Sequence, residues 1–323
     1  MAADQPERMS NDSISWAAIT ALAVAVIGAE LTSPLHVAMV SLANLAFACA
    51  ALGSAALFYR HVRVNDRFSA CCIGLAQALV FSALGAVLSY LLARDGGPLW
   101  DPTLHRWDRA LGLDWLAYAR FVDRHAWLVA AYGFAYGTLI PQTIVVIVAL
   151  GFSGRLDRLR MFILAAILSG TTAILLSPLF PAVGNFTFLA LKPSGFAHVW
   201  QSADLADVRD FLAVRNGSLA SLDLRKMQGI IVFPSYHGAL AATTLWAFWT
   251  SGLKWLRWGG GLVALLTIAA TPVNGGHYFV DVIAGVAIAG ASIAAARRLV
   301  FARLPLEAIT ALPFRRSRAA FAR

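Results

Sequence analysis

The sequence predicts an all-α polytopic membrane protein with about eight transmembrane helices. Three observations carry this. Of 323 residues, 59% are hydrophobic and only 13% charged, against about 25% charged in a typical soluble domain. Mean hydropathy is +0.69. The apolar residues are gathered in runs near the roughly 20 residues that a helix needs to cross a bilayer.

The expected spans are 14–32, 37–59, 68–93, 127–151, 161–180, 231–252, 259–274 and 278–299. Residues 1–13 are polar and no small-residue cleavage site closes the first apolar run, so no cleavable signal peptide is expected. The chain divides into 1–67 (tail and two leading spans), 68–126 (a span and an outer segment), 127–299 (a catalytic region) and a basic tail at 300–323.

The net charge of +9 does not imply nucleic acid, because the basic residues sit in short clusters between apolar runs. Links 60–67 and 153–160 carry three arginines each, 253–258 adds Lys254 and Arg257, and the tail after Arg297 is basic. With eight spans these segments share one side, which the positive-inside rule makes cytoplasmic. All but three of the 26 basic residues are arginine in an Ala-rich chain, which suggests a bacterial inner membrane with the other side periplasmic. Cys49, Cys71 and Cys72 lie in or beside apolar runs with no metal-ligand spacing, so they read as core residues.

The outer side receives segments 94–126 and 181–230. In the first, Leu104, Trp107, Leu111 and Trp115 recur at helical spacing among Asp and Arg. Short interfacial helices are expected there, either packed on the bundle or forming a lateral lip for a lipid. Pro141, Pro178 and Pro181 are expected to kink or end helices.

Two stretches carry chemistry. "FPSYH" puts Ser235, Tyr236 and His237 at the head of one span; "GGHYFVDVIAG" puts His277 and Asp281 at the head of another. The predicted topology brings both heads to the outer face. His277 and Asp281 are four residues apart and are expected on one helix face, where a carboxylate can orient an imidazole. Ionisable groups at membrane depth mark functional sites by default. No third or fourth metal ligand appears at a nearby spacing, so neither metal nor other cofactor is expected.

Pro234-Ser235-x-His237 followed by His277-x3-Asp281 resembles the second and third motifs of the type 2 phosphatidic acid phosphatase superfamily. The wording of both stretches is most similar to its inositol phosphorylceramide synthase branch. The resemblance implies a six-helix phosphatase-like catalytic bundle and a phosphohistidine mechanism. In it His277 attacks phosphorus, Asp281 holds the His277 tautomer, and His237 serves as general acid and then base. Ser235 and the amides at the helix start would hold phosphate oxygens. The implied substrate is a phospholipid or other lipid phosphate in the bilayer. An alcohol acceptor, of inositol or sugar type, makes the enzyme a phosphotransferase; water makes it a phosphatase.

The sequence departs from the superfamily in its cations. No K-x6-R-P motif is present, and Thr271 stands where the third motif carries arginine. Phosphoryl transfer needs charge stabilisation. Arg215 and Arg225, with Tyr236, are therefore the further substrate-binding candidates, drawn from an outer loop that also holds Lys192, Arg209 and Lys226. A transporter fits less well, because the span centres are almost free of charge and the halves do not match. A non-catalytic scaffold would not need both histidines and Asp281. The residues leave the oligomeric state open.

Overall fold

The apolar runs fold as helices, and the polar links between them gather at two ends of a bundle. The computed structural model describes residues 5–199, 206–227 and 229–301, with side chains from residue 12 onward. Most of the basic tail, from residue 302, lies outside the described residues.

Helices α1 (Gln5–Leu31), α2 (Met39–His61) and α3 (Asp66–Ala93) come first. The outer segment forms α4 (Asp101–Ala110) and α5 (Trp115–Asp123). Then follow α6 (Ala126–Gly137), α7 (Leu139–Phe152), α8 (Leu156–Leu176) and the short α9 (Asn185–Phe188). The series ends with α10 (Ala206–Arg215), α11 (Tyr236–Thr250), α12 (Gly261–Asn274) and α13 (Phe279–Phe301). The strands β1 (His36–Val37) and β2 (Ser221–Leu222) pair in parallel, tying the first link to the loop after α10.

Six helical stretches among the described residues are long and apolar enough to cross a membrane: 12–31, 39–61, 66–93, 156–179, 256–274 and 279–301. Two expected spans differ. The 127–151 run is broken into α6 and α7, which meet at a bend of 54°. The break falls at Thr138, and Pro141 lies inside the first turn of α7, where its missing N–H leaves no ladder bond open. The 231–252 run becomes helical only at Tyr236. Pro234, joined to Phe233 by a cis peptide bond, precedes it, and Ser235 caps the helix by accepting from the Gly238 N–H at 3.2 Å. The resulting 15-residue helix is about 22 Å long, less than the roughly 30 Å hydrocarbon thickness.

Helix α11 is the hub. It packs on α8, α12 and α13, with α7 beside it; α3 covers α7 and α8, and α6 covers α12. Helices α1 and α2 lean on α3, and α2 leaves most of its surface outward. The basic links meet at one end of the bundle. Arg67 donates to the Phe152 carbonyl at 3.2 Å, Arg160 pairs with Asp12 at 2.8 Å, and the Arg155 guanidinium lies against Gly252.

The amphipathic segment docks on the other end. It forms two helices because the chain turns at Gly112, whose φ of +76° suits only glycine. Leu104 and Trp115 are buried, and the Trp115 indole donates to the Pro272 carbonyl at 2.8 Å. Trp107 and Leu111 stay exposed. Half of the predicted apolar stripe therefore packs on the bundle and half faces outward.

Candidate active site

Helices α11 and α13 cross closely enough to bring their first turns together. The Ser235 N–H donates to the Asp281 carbonyl at 3.0 Å. At Gly285 a Cβ would collide with the Ser235 carbonyl oxygen. At Gly238 a Cβ would stand 3.2 Å from the Val282 side chain. Glycine at both crossing points allows the approach.

His277 does not lie on α13, as the four-residue spacing suggested. The helix begins at Phe279, so His277 sits in the link before it while Asp281 occupies the first turn. The link is shaped by Gly276, with φ +64°, and is held by Asn185, whose backbone N–H donates to the Gly276 carbonyl at 2.8 Å. The Asn185 side-chain amide donates to the His277 carbonyl at 3.1 Å.

The His277 ring is buried, with 3% exposure. Its Nδ1 lies 2.9 Å from the Val232 carbonyl oxygen. A carbonyl can only accept, so Nδ1 carries the proton and Nε2 keeps a lone pair. The Asp281 carboxylate is 3.5 Å from Nδ1 and takes a shorter bond, 2.7 Å, from the Tyr278 N–H. The hydrogen bond that fixes the tautomer thus comes from a backbone carbonyl, with the Asp281 carboxyl standing behind it at 3.5 Å. Nε2 faces Ser235 Oγ at 3.3 Å. Burial pushes the His277 imidazole down to about 4, against opposing effects of the Val232 bond and of Asp207 on α10.

His237, in the first turn of α11, is half-buried with its ring centroid 6.3 Å from that of His277. It stacks on Tyr136 from α6, with centroids 4.7 Å apart and planes 15° from parallel. The backbone N–H groups of Tyr236 and His237 have no partner among the described residues. The start of α13 is the opposite case. Its amides are filled: Asp108 on α4 accepts from Phe279 and Val280, both at 2.9 Å, and Asp281 accepts from Tyr278.

A second buried carboxylate, Asp101, accepts from the Val183 and Gly184 N–H groups and from the Tyr278 hydroxyl at 2.9 Å. Burial raises the carboxyls of both Asp101 and Asp108, and these hydrogen bonds oppose the rise. Asp101 and Asp108 thereby fix α4 to the residues that follow His277 and to the 183–184 segment that leads into Asn185.

Of the sequence candidates, Ser235, His237, His277 and Asp281 converge. Tyr236 points away from the histidines, with its ring against Gly170 and Phe81 and its hydroxyl toward the Ala166 carbonyl. Arg225 is engaged in a two-pronged pair with Asp223, which also accepts from Ser41 on α2. Arg215 donates through Nη2 to the Gly97 carbonyl at 2.8 Å, while its buried Nη1 has no partner among the described residues. It lies beside Gly96, which lines a small pocket with Phe211, Val232 and Phe233.

Sequence reasoning passed over Tyr136, Asp101, Asp108, Asn185 and the Val232 carbonyl. The aspartates had a signal: two carboxylates seven residues apart with buried Leu104 between them, on the face of α4 that turns inward.

A bundle of apolar helices with two histidines and a carboxylate facing one another at one end defines an all-α polytopic membrane protein with a candidate catalytic site. Residues 102–295, more than half of the chain, match the PAP2 superfamily, and the chain belongs to it. It is thus a phosphatase or phosphotransferase of the type 2 phosphatidic acid phosphatase superfamily. The match takes in α4 and α5 as well as α6 to most of α13, and leaves out α1, α2 and α3. Searches of curated proteins and of solved structures found no match.

Proposed function

We propose that the protein is a metal-independent phosphotransferase acting on a lipid-linked phosphate through a phosphohistidine formed on His277. The observation that carries this reading is the His277 tautomer. With Nδ1–H given to Val232, the lone pair of Nε2 points toward Ser235 and the His237 side of the site.

In the first step Nε2 of His277 forms a bond to phosphorus, and the bond from phosphorus to the lipid oxygen breaks. His237 gives that oxygen its proton. Phosphorylated at Nε2 and still protonated at Nδ1, the ring becomes cationic. The Asp281 carboxylate 3.5 Å away balances that charge. In the second step an alcohol oxygen attacks phosphorus, His237 takes its proton, and the bond from phosphorus to nitrogen breaks. Before substrate arrives, the Ser235 hydroxyl is free to donate to Nε2, since its oxygen already accepts from Gly238.

The phosphate oxygens dock at the start of α11, where the Tyr236 and His237 amides are open and the helix dipole is positive. The filled amides of α13 cannot serve. Arg215 supplies the cation, through its unpartnered Nη1. The site lies on the periplasmic face, opposite the basic links. The inositol phosphorylceramide synthase-like wording of both motifs favours an inositol- or sugar-type acceptor over water.

Purified protein in detergent, offered phosphatidate or phosphatidylinositol with and without free inositol, tests this. Mass spectrometry should find an alcohol phosphate that His277→Ala does not make. Free phosphate as the sole product, at a rate indifferent to inositol, would make the enzyme a lipid phosphatase. Full activity in His277→Ala would remove the nucleophile.

A further inference from the structure

The two histidines are held by different means. His277 is fixed through both ring nitrogens, by the Val232 carbonyl and Ser235. His237 has no hydrogen bond to either ring nitrogen among the described residues. A general acid must nevertheless aim its proton at the leaving oxygen, and an imidazole free to turn about its side-chain bonds loses that aim.

Among the described residues, Tyr136 is the ring stacked on His237, at 4.7 Å and 15°. Tyr136 is itself held firmly. It lies in the last turn of α6, beside the 54° break. The carbonyl of its neighbour Ala135 accepts from Thr267 Oγ1 at 2.9 Å and from Gln142 Nε2 at 3.0 Å. Gln142 also donates to Thr267 at 3.1 Å, and Thr138 Oγ1 donates to the Phe134 carbonyl at 2.7 Å. This buried polar cluster locks the end of α6 to α12, which leads directly into the His277 link. Gly275 keeps the space open: a Cβ there would stand 2.7 Å from both the Tyr136 hydroxyl and His277 Cδ2.

We propose that Tyr136 is a positioning residue for the phosphoryl-transfer step, its ring setting the plane of the His237 imidazole so that the proton meets the leaving lipid oxygen. The break between α6 and α7 then has a purpose, since it ends α6 where Tyr136 must face α11. The groups around His237 are Tyr136 on α6, His277 in the link before α13 with Asp281 behind it, Ser235 at the head of α11, and Asp207 on α10, which acts on Tyr136 and His277. The inference rests on reading His237 as the general acid.

The test uses two phosphate monoesters in detergent. From phosphatidate the diacylglycerol oxygen leaves as an alkoxide and needs a proton; from p-nitrophenyl phosphate p-nitrophenolate leaves as a stable anion and needs little help. In Tyr136→Leu the ratio of phosphatidate to p-nitrophenyl phosphate turnover should fall about tenfold, part of the 10²–10⁴ that general acid catalysis contributes. Tyr136→Phe and Tyr136→Trp, which keep a flat ring, should return the ratio toward that of wild type. A residue needed only for folding would lower both rates together, and an unchanged ratio in Tyr136→Leu overturns the proposal. Because the readout is a ratio, partial loss of folded protein does not blur it. His237→Ala should show the same split, and His277→Ala should lose both activities. Activity surviving in His277→Ala overturns the phosphohistidine reading, whereas intact controls with an unmoved Tyr136→Leu ratio overturn the Tyr136 role alone.

Discussion

Gly285 of α13 lies so close to Ser235 of α11 that a single added methyl would strike the serine's carbonyl oxygen. This contact sets the distance between the helix that carries His237 and the one that carries Asp281. Gly285→Ala must therefore part the two helices, an overpacking that costs about 1–3 kcal/mol. The expected outcome is a lower thermal midpoint in detergent and a loss of activity greater than that drop explains. Gly290→Ala, on the same helix with nothing within 4 Å of its would-be Cβ, serves as the control and should leave both unchanged.

Asp108 caps a helix that it does not belong to. Asp108→Ala leaves the partly buried Phe279 and Val280 amides unpaired, at up to about 1–3 kcal/mol for each unsatisfied group. Asp108→Asn keeps one acceptor oxygen and should recover part of that loss. Thermal unfolding of the three proteins in detergent decides it: an alanine variant as stable as wild type would show that α4 does not anchor the catalytic helix.

Stability should fall on the acid side because His277 is buried as the neutral ring. Its value in the folded protein is about 4, against an ordinary 6.5. Between these values the unfolded chain takes up a proton that the folded protein refuses. The stabilisation from this ring is complete above pH 6.5 and declines as pH falls toward 4; at pH 5 about 2 kcal/mol is lost. Comparing unfolding at pH 7.5 and pH 5, His277→Gln should lose less stability than wild type. Equal losses would assign the acid sensitivity to other groups.

The two outer arginines should separate in kinetics. Arg225 is exposed and already paired with Asp223, and such solvent-screened surface pairs contribute little. Arg225→Gln should leave kcat/KM for a lipid phosphate within about twofold, as expected of a surface pair of that strength. Arg215→Gln removes a half-buried cation with an unused donor, and should lower kcat/KM by about tenfold or more, the scale of a charge-assisted hydrogen bond. The reverse order would move the phosphate-binding cation to the Arg225 side.

The membrane class and the approach of the two histidine-bearing stretches were legible in the sequence, although His277 sits in the link before α13 and not on the helix. Run lengths, arginine clusters and the His237, His277 and Asp281 spacings are properties of residue types in order, and each constrains a local element. The Ser235 cap had a local signal too, a serine ahead of a helical run, although the expected span began at residue 231 and the helix begins at Tyr236. What tertiary structure decided was everything carried by contacts between distant segments. The His277 tautomer is set by the Val232 backbone carbonyl, which any residue at 232 would supply. Tyr136 meets His237 only because α6 stops at Thr138, and Asp108 finds its amides 171 residues away. The side chain of Tyr236, next to the key histidine, turned instead toward α8. On a helix adjacent residues face different directions, so the neighbours that matter for chemistry are chosen by packing.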